Sequence, residues 1–588
     1  RLVSSDDNLI KDSEFNSNIR VGAMLSSGYL NRVREDTPDG AEEPPNDIRN
    51  VTIMSSEFNK NGLNQGPMGY GLLSSANVDG MEVTGSEFND NYTAGMAFGP
   101  YQQEAVPQIQ EAGIKAIEPP IEVKDISIRN SHFDNNGVEN STVELGEGVG
   151  LITYLDTSNL EVKNSTFDGN STAGMSLGPM PPMEEDLPTA SNISITGSSF
   201  VDNEYFGLCT NANIDGMDIT RTEIKGNYFG ILFWQGTESS SDISVNYSSI
   251  NQSSENYPED TELPIPNAGI VNTTDNTVNA TINWWGAPDG PSADWKWEID
   301  DEFNPEYSGG GDKILGSAAF APWLGEDPDS NPDKPGVQLI DPLPIIVRKV
   351  GPVPTTKTGN TGYLDMAIWG ASNVPVRGKV IVPHGNWQAK EPLGNNAELI
   401  SEDGTTCHTC LEDVEESKLT VDGDEVTIGK LDDITPRGFI IKDEVKVQPG
   451  VDASTVHLNW NDIRSNVEND GDGRLDAEYN WWGDLDPSDS VTGDVDYRPF
   501  LPEDPCSFTD YMEEHNLEDP REAVVNRMSE GETCSTDLPK RMIVNYRLKP
   551  GEAEELVDEY GCYDIRKAMK EAGEDFGSFK DQLGLSKL

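Results

Sequence analysis

Asp470, Asp472 and Asp476 alternate through the Gly-rich segment Asn469-Asp470-Gly471-Asp472-Gly473-Arg474-Leu475-Asp476. Carboxylates at such short spacing suit Ca²⁺, which takes six to eight oxygens, although the twelve-position loop and its terminal Glu are missing. Calcium is therefore the one candidate cofactor, beside the favoured and plainer reading of an acidic turn. Only His132 of the five histidines lies among the repeats described below, so imidazole acid–base chemistry is not expected there. With 104 acidic residues, carboxylate pairs at a spacing fit for glycosidic cleavage arise by chance, and no catalytic residue is assigned.

The cysteines and sequons read as structure and modification. Cys407 and Cys410 form a CxxC around His408, but no second pair completes a zinc site and no βαβ pattern supports a redox motif. One or two structural disulfides are expected, with Cys506–Cys534 the preferred pair; Cys209 reads as a small buried hydrophobe. Ten Asn-x-Ser/Thr sequons fall between Asn50 and Asn279. Asn140 and Asn251, taken as loop residues, and Asn50 and Asn272 are the expected glycan acceptors.

A repeat must position these residues. The unit is small-polar, any, apolar, polar, any, Asn, as in Ser56-Glu57-Phe58-Asn59-Lys60-Asn61 and Ser131-His132-Phe133-Asp134-Asn135-Asn136. Clear copies run from Ser13 to Asn227, and an isolated one spans Asn461–Asn466. A short alternating strand precedes each copy (Met81-Glu82-Val83, Ile126-Ser127-Ile128), and a Gly-led apolar run follows (Gly95-Met96-Ala97-Phe98, Gly174-Met175-Ser176-Leu177). Three short strands per turn predict coils of a parallel β-helix. The Phe positions should stack inside, and the terminal Asn residues should form a ladder at a turn, where Asn tolerates the left-handed conformation and its amide can pair with the next coil. Three Pro- and acid-rich insertions, Arg34–Asp47, Gly99–Glu122 and Gly178–Ala190, fall after Gly-led strands and should project from one side.

The net charge of −63, spread along the whole chain, excludes a nucleic-acid partner, since no basic stripe exists. Such a surface suits molar salt, where repulsion is screened within roughly 3 Å. A halophilic source is the expectation. No apolar run is long enough to span a membrane. Arg1 in place of Met, and motif-like text from Leu9, suggest a processed or truncated start.

Two segments share a further signature: Asn279–Pro291, containing Asn283-Trp284-Trp285-Gly286, and Leu475–Gly483, containing Asn480-Trp481-Trp482-Gly483. Aromatic-Pro endings follow, Ala321-Pro322-Trp323-Leu324 and Arg498-Pro499-Phe500-Leu501. This resembles the closing segment of right-handed β-helix proteins of the pectate-lyase-like superfamily, most of all those on archaeal surfaces that carry carbohydrate-binding and sugar-hydrolase repeats. The resemblance implies that Trp284, Trp285, Trp481 and Trp482 cap the apolar interior. The Gly-His-Gly and Arg-Ile-Lys of the family's hydrolases are absent.

The expected organisation is mainly β. A right-handed parallel β-helix takes residues 1–334, a β-rich middle domain or a decorated set of irregular coils 335–454, a short β-helix-like coil 455–504 and an α-helical domain 505–588. The expected function is that of an exported, non-enzymatic surface protein of a halophilic archaeon or its virus. It would be extracellular, on a cell or virion surface, contacting glycan or protein and able to form homo-oligomers or filaments through exposed edges. The rival is a polysaccharide lyase or glycoside hydrolase, such as a tailspike depolymerase.

Overall fold

The computed structural model describes residues 2–3, 8–18, 20–26, 47–62, 69–99, 122–137, 147–179, 187–234, 241–251, 253, 266–293, 307–402, 409–411, 418–432, 435–483 and 487–529. It forms two compact units, residues 1–340 with 349–354, and residues 341–348 with 355–588.

The first unit is a parallel β-helix with three walls. Wall A runs from Leu2–Val3 through Ala94–Phe98, Val149–Thr153 and Ala173–Leu177 to Ile314–Gly316. Wall B runs from Asn8–Lys11 through Glu122–Arg129, Asp156–Lys163 and Thr189–Thr196 to Ala318–Ala319. Wall C carries the repeat: Glu14, Glu57, Glu87, His132, Thr166 and Ser199 bridge in series, and Ser199–Val201, Glu223–Lys225 and Ser249–Asn251 continue it. The chain visits A, B and C in order, so each rung lies on the one before.

Inside, Phe15, Phe58, Phe88, Phe133, Phe167 and Phe200 stack with centroids 4.7–4.9 Å apart, as one rung spacing requires. The Asn ladder forms too, through the expected pairing of each amide with the next coil, but without the expected left-handed backbone at the Asn itself. The left-handed residue is the one before it: Ser17, Lys60, Asp90 and Asn135 have φ of 57–59°. From Asn61 onward the ladder Asn is buried, and its Oδ1 accepts both the backbone N–H and the Nδ2–H of the Asn one coil earlier. Asn136 accepts from Asn91 N at 3.0 Å and Nδ2 at 3.1 Å, and its own Nδ2 donates to Asn170 Oδ1 at 2.9 Å. Asn136→Ala would orphan two buried donors of Asn91, and should lower stability by about 2 kcal/mol, read as a shift in urea midpoint.

The Trp-Trp segments are not end caps. Trp284 bridges Ser249, so fully buried Trp285 continues the row Phe200, Ile224, Ile250. A further coil lies beyond: Ile314–Gly316 and Ala318–Ala319 extend walls A and B, and buried Phe320–Leu324 folds back over Ile282 and Asn283. This last turn contains the cis Ala321–Pro322 bond.

The second unit is also a parallel β-helix, against the expected boundary at 454/455. Its first wall runs Leu343–Ile346, Gly378–Val382, Ala397–Ser401, Thr427–Ile428, His457–Leu458, Leu475–Asp476 and Val495–Asp496. Thr427–Ile428 pairs with His457–Leu458 across that boundary. Coils here are irregular in length, which hid them from a search for one motif. The helix Tyr363–Ser372 packs so close that a Cβ on Gly378 would sit 2.3 Å from Ala371 Cα.

The two Trp-Trp segments are tied to the chain that follows them in the same way. Leu324 N donates to Asn283 O and Leu501 N to Asn480 O, at 3.0 and 2.9 Å; Ile282 N and Tyr479 N each meet the proline oxygen of a cis bond at 2.6 Å. Trp481 bridges Asp462, placing Trp482 after Ile463 in the interior row. Helices Pro505–Glu514 and Pro520–Ser529 follow, the first capped by the Asp504 carboxylate on Ser507 N. The helical spacing read at Gly551–Gly573 lies outside the described residues.

Candidate functional site

The three insertions leave wall A and re-enter wall B, between Ser26 and Asp47, Phe98 and Glu122, and Leu177 and Thr189. They share one corner, as their placement after Gly-led strands predicted, and most of their residues lie outside those described. Beside two of their re-entry points, wall B holds an open cleft of about 230 Å³ lined by Glu122, Asp156, Thr157, Ser158, Thr189 and Ser191. Parallel register sets Glu122 beside Asp156, and Ser158 beside Ser191. Asp156 Oδ1 accepts Thr189 N–H at 2.7 Å, which fixes that carboxylate at the cleft. The adjacent cation Lys124 lies 3.5 Å from Asp79, and Arg49 3.8 Å from the same carboxylate. The cleft therefore offers carboxylate and hydroxyl groups, a lining suited to a ligand rich in hydroxyls.

A second arrangement lies on wall C. In the repeat, the residue after the core Phe is Asn16, Asn59 and Asn89, then Asp134 and Asp168. Each accepts the next coil's backbone N–H: Asn89 Oδ1 from Asp134 N at 2.8 Å, Asp134 from Asp168 N at 2.9 Å, and Asp168 from Val201 N at 2.8 Å. Thr166 Oγ1 donates to Asp134 and Ser199 Oγ to Asp168. Burial, and then the Asp134 charge, push the Asp168 carboxyl up to about 7; burial also raises Asp134. His132 Nδ1 is 3.7 Å from Asp134. The Asn-to-Asp change within one repeat position is the signal that could have singled these acids out.

The expected calcium ligands do not converge. Asp470 pairs with Lys446 at 2.7 Å, and Asp476 Oδ2 bonds His457 Nδ1 at 2.8 Å. The Asp472 backbone is tied to Val451 and Ala453. Among the described residues no three acidic, His or Cys side chains are grouped to hold a metal. Asp470 and Asp472 lie in the turn between strands Val467–Asn469 and Leu475–Asp476, and Asp470 and Asp476 are each taken by a cation or imidazole of the preceding coil, so short sequence spacing does not gather the carboxylates here.

Two expected glycan acceptors are corrected by burial. Asn251 is on a strand at 6% exposure, with Nδ2 on Ser249 Oγ; Asn272 is at 4%, with Nδ2 on Asn276 O and Ser317 O. Asn50 is exposed at the wall B bend, with φ of 51°, and Asn140 lies outside the described residues. Cys506 is disulfide-bonded, while Cys407 and Cys534 lie outside the described residues, so the Cys506–Cys534 pairing remains an expectation. Cys410 is a free thiol, and Cys209 is fully buried, which pushes its thiol up to about 12.

A family model described as "Right handed beta helix region" matches residues 112–246. Among solved structures, the chain is similar to the tailspike protein gp49 of Pseudomonas phage LKA1, at 13% identity and a TM-score of 0.23, over 77% of this chain. It spans 52% of that protein's length. No curated protein matches the chain. With the parallel walls, the family match makes the fold a right-handed parallel β-helix, and among the described residues no helix is long and apolar enough to cross a membrane.

Proposed function

We propose that this chain is an exported surface protein, of a halophilic cell or of its virus, that binds glycan at the insertion corner of its first β-helix. The observation that carries the reading is the coincidence of the cleft with the corner from which the insertions depart. A long polar ladder gives a rigid platform, and sites on loops beside a rigid scaffold are the common arrangement for recognition. The net charge of −63 supports the halophilic setting. Self-association through exposed strand edges belongs to the same proposal, and sedimentation in molar salt reads it.

The test is binding of the full chain to purified halophile cell-surface polysaccharide in molar salt. Asp156→Ala with Glu122→Gln should weaken binding about tenfold, since two charge-assisted hydrogen bonds would be lost. Undiminished binding by the double variant would sink the assignment of the cleft.

One observation favours a second reading, polysaccharide cleavage. A half-buried acid held near neutrality is what a general acid requires, and Asp168 has that character beside Asp134. The same incubation decides it. New reducing ends that vanish in Asp168→Asn would make the protein a depolymerase; binding without cleavage leaves the adhesive reading.

A further inference from the structure

The first wall of the second unit carries a row of outward side chains whose chemistry the glycan reading does not use. Register places Glu398, Thr427, His457, Asp476 and Asp496 on successive rungs, opposite the buried interior residues Leu399, Ile428, Leu458 and Leu475. Within this row His457 Nδ1 lies 2.8 Å from Asp476 Oδ2. The other oxygen, Asp476 Oδ1, accepts Asn459 Nδ2 at 3.1 Å and Glu478 N at 3.2 Å. The carboxylate is thus held on one side by two donors and holds the imidazole on the other. Partial burial alone would raise the Asp476 carboxyl, but the bonds from His457, Glu478 and Asn459 outweigh it and keep it below the usual range. An ionised carboxylate only accepts, so Nδ1 carries the proton and Nε2 presents its lone pair. The ring is half exposed, at 50%, and no described residue bonds to Nε2. Thr427 is the neighbouring outward residue on the side away from Asp476.

We propose that the His457–Asp476 dyad is a general-base centre that hydrolyses acyl esters of alcohols, independently of the glycan site. An imidazole whose far nitrogen is fixed by a carboxylate, with its near nitrogen open to solvent, is the arrangement that activates a nucleophile. Nε2 takes a proton from water as the water oxygen bonds to the acyl carbon. The ester C–O bond then breaks, and the departing alkoxide takes the proton back from Nε2. The products are a carboxylic acid and an alcohol, and no oxidant or further reactant is consumed. The Asp476 carboxylate stabilises the imidazolium formed between the two transfers. Charged groups facing the row are Glu398 with Lys430 at 3.7 Å on one side, and Asp496 with Arg474 at 3.8 Å on the other.

The probe is p-nitrophenyl acetate, hydrolysed by the full chain in molar salt and compared with an equal concentration of free imidazole. The intact chain should exceed imidazole, and His457→Gln should lose at least tenfold. The rate should rise with pH along a single titration above the ordinary histidine value, because the Asp476 bond raises His457. In Asp476→Asn that titration should move down, and proton NMR of the His457 ring should show the same shift. Both side chains are outward-facing, and an unchanged far-UV spectrum checks that the variants fold. A wild-type rate equal to that of His457→Gln, or a titration unmoved in Asp476→Asn, would overturn the proposal.

Discussion

Phe133→Ala should destabilise the first unit by about 3–5 kcal/mol, the usual cost of removing a fully buried aromatic ring. Phe133 is wholly buried and lies between two partners, Phe88 and Phe167, each 4.8 Å away and within 4° of parallel. Removing it breaks two stacks, each worth about 0.5–1.5 kcal/mol beyond area burial. The cavity cannot close, because neighbouring coils are held at fixed spacing by the Asn ladder and the parallel walls. The effect should be local, since each coil of a solenoid contacts only its neighbours. Urea denaturation followed by far-UV circular dichroism reads the total loss. Hydrogen exchange should show early opening around residues 122–177 with slower exchange in the second unit; uniform loosening of both units would contradict the picture of stacked, separately held coils.

Asp168→Asn should do the opposite, and only at the upper end of the pH range. The Asp168 carboxyl is raised from 3.8 to about 7 in the folded chain. Between those values the folded chain keeps a proton that the unfolded chain has released, so stability falls as pH rises through that window. The full shift corresponds to about 4 kcal/mol. Partial solvent access and coupling to Asp134 reduce what is recovered, so an increase of about 2 kcal/mol is expected at pH 8 and little change at pH 4. Asn serves the same ladder position at Asn16, Asn59 and Asn89, and its Oδ1 can still accept Val201 N–H. Urea midpoints of wild type and Asp168→Asn across pH 4–8 test the sign. Curves that stay parallel, or a variant less stable at pH 8, would show that Asp168 is ionised without cost in the fold.

The rod was legible because its signal is repeated. Phe58, Phe88 and Phe133 recur with Asn61, Asn91 and Asn136 three residues on, and an interior row and a ladder satisfy that pattern together. The second unit was harder to read. Its interior row passes through Trp387, Leu411, Ile441, Ile463 and Trp482, so no residue type marks the coil, and the Asn461 copy stood isolated. The Trp-Trp segments misled for a related reason. Their resemblance to a closing segment implied an end, whereas Trp285 and Trp482 occupy ordinary core positions with a further coil over each.

Sequence alone determined which residues face inward in the first unit, where its insertions sit in each coil, and how strongly acidic the surface is. These follow from alternation along a strand and from composition, which are properties of neighbours in the chain. Tertiary structure decided which acids meet. Asp470 and Asp476, read together as calcium ligands, go separately to Lys446 and His457, while Asp134 and Asp168, 34 residues apart, become neighbours. In a parallel β-helix a lateral neighbour lies one whole coil away, and coil length varies with every insertion. The partner of a side chain is therefore set by register, which no local pattern encodes.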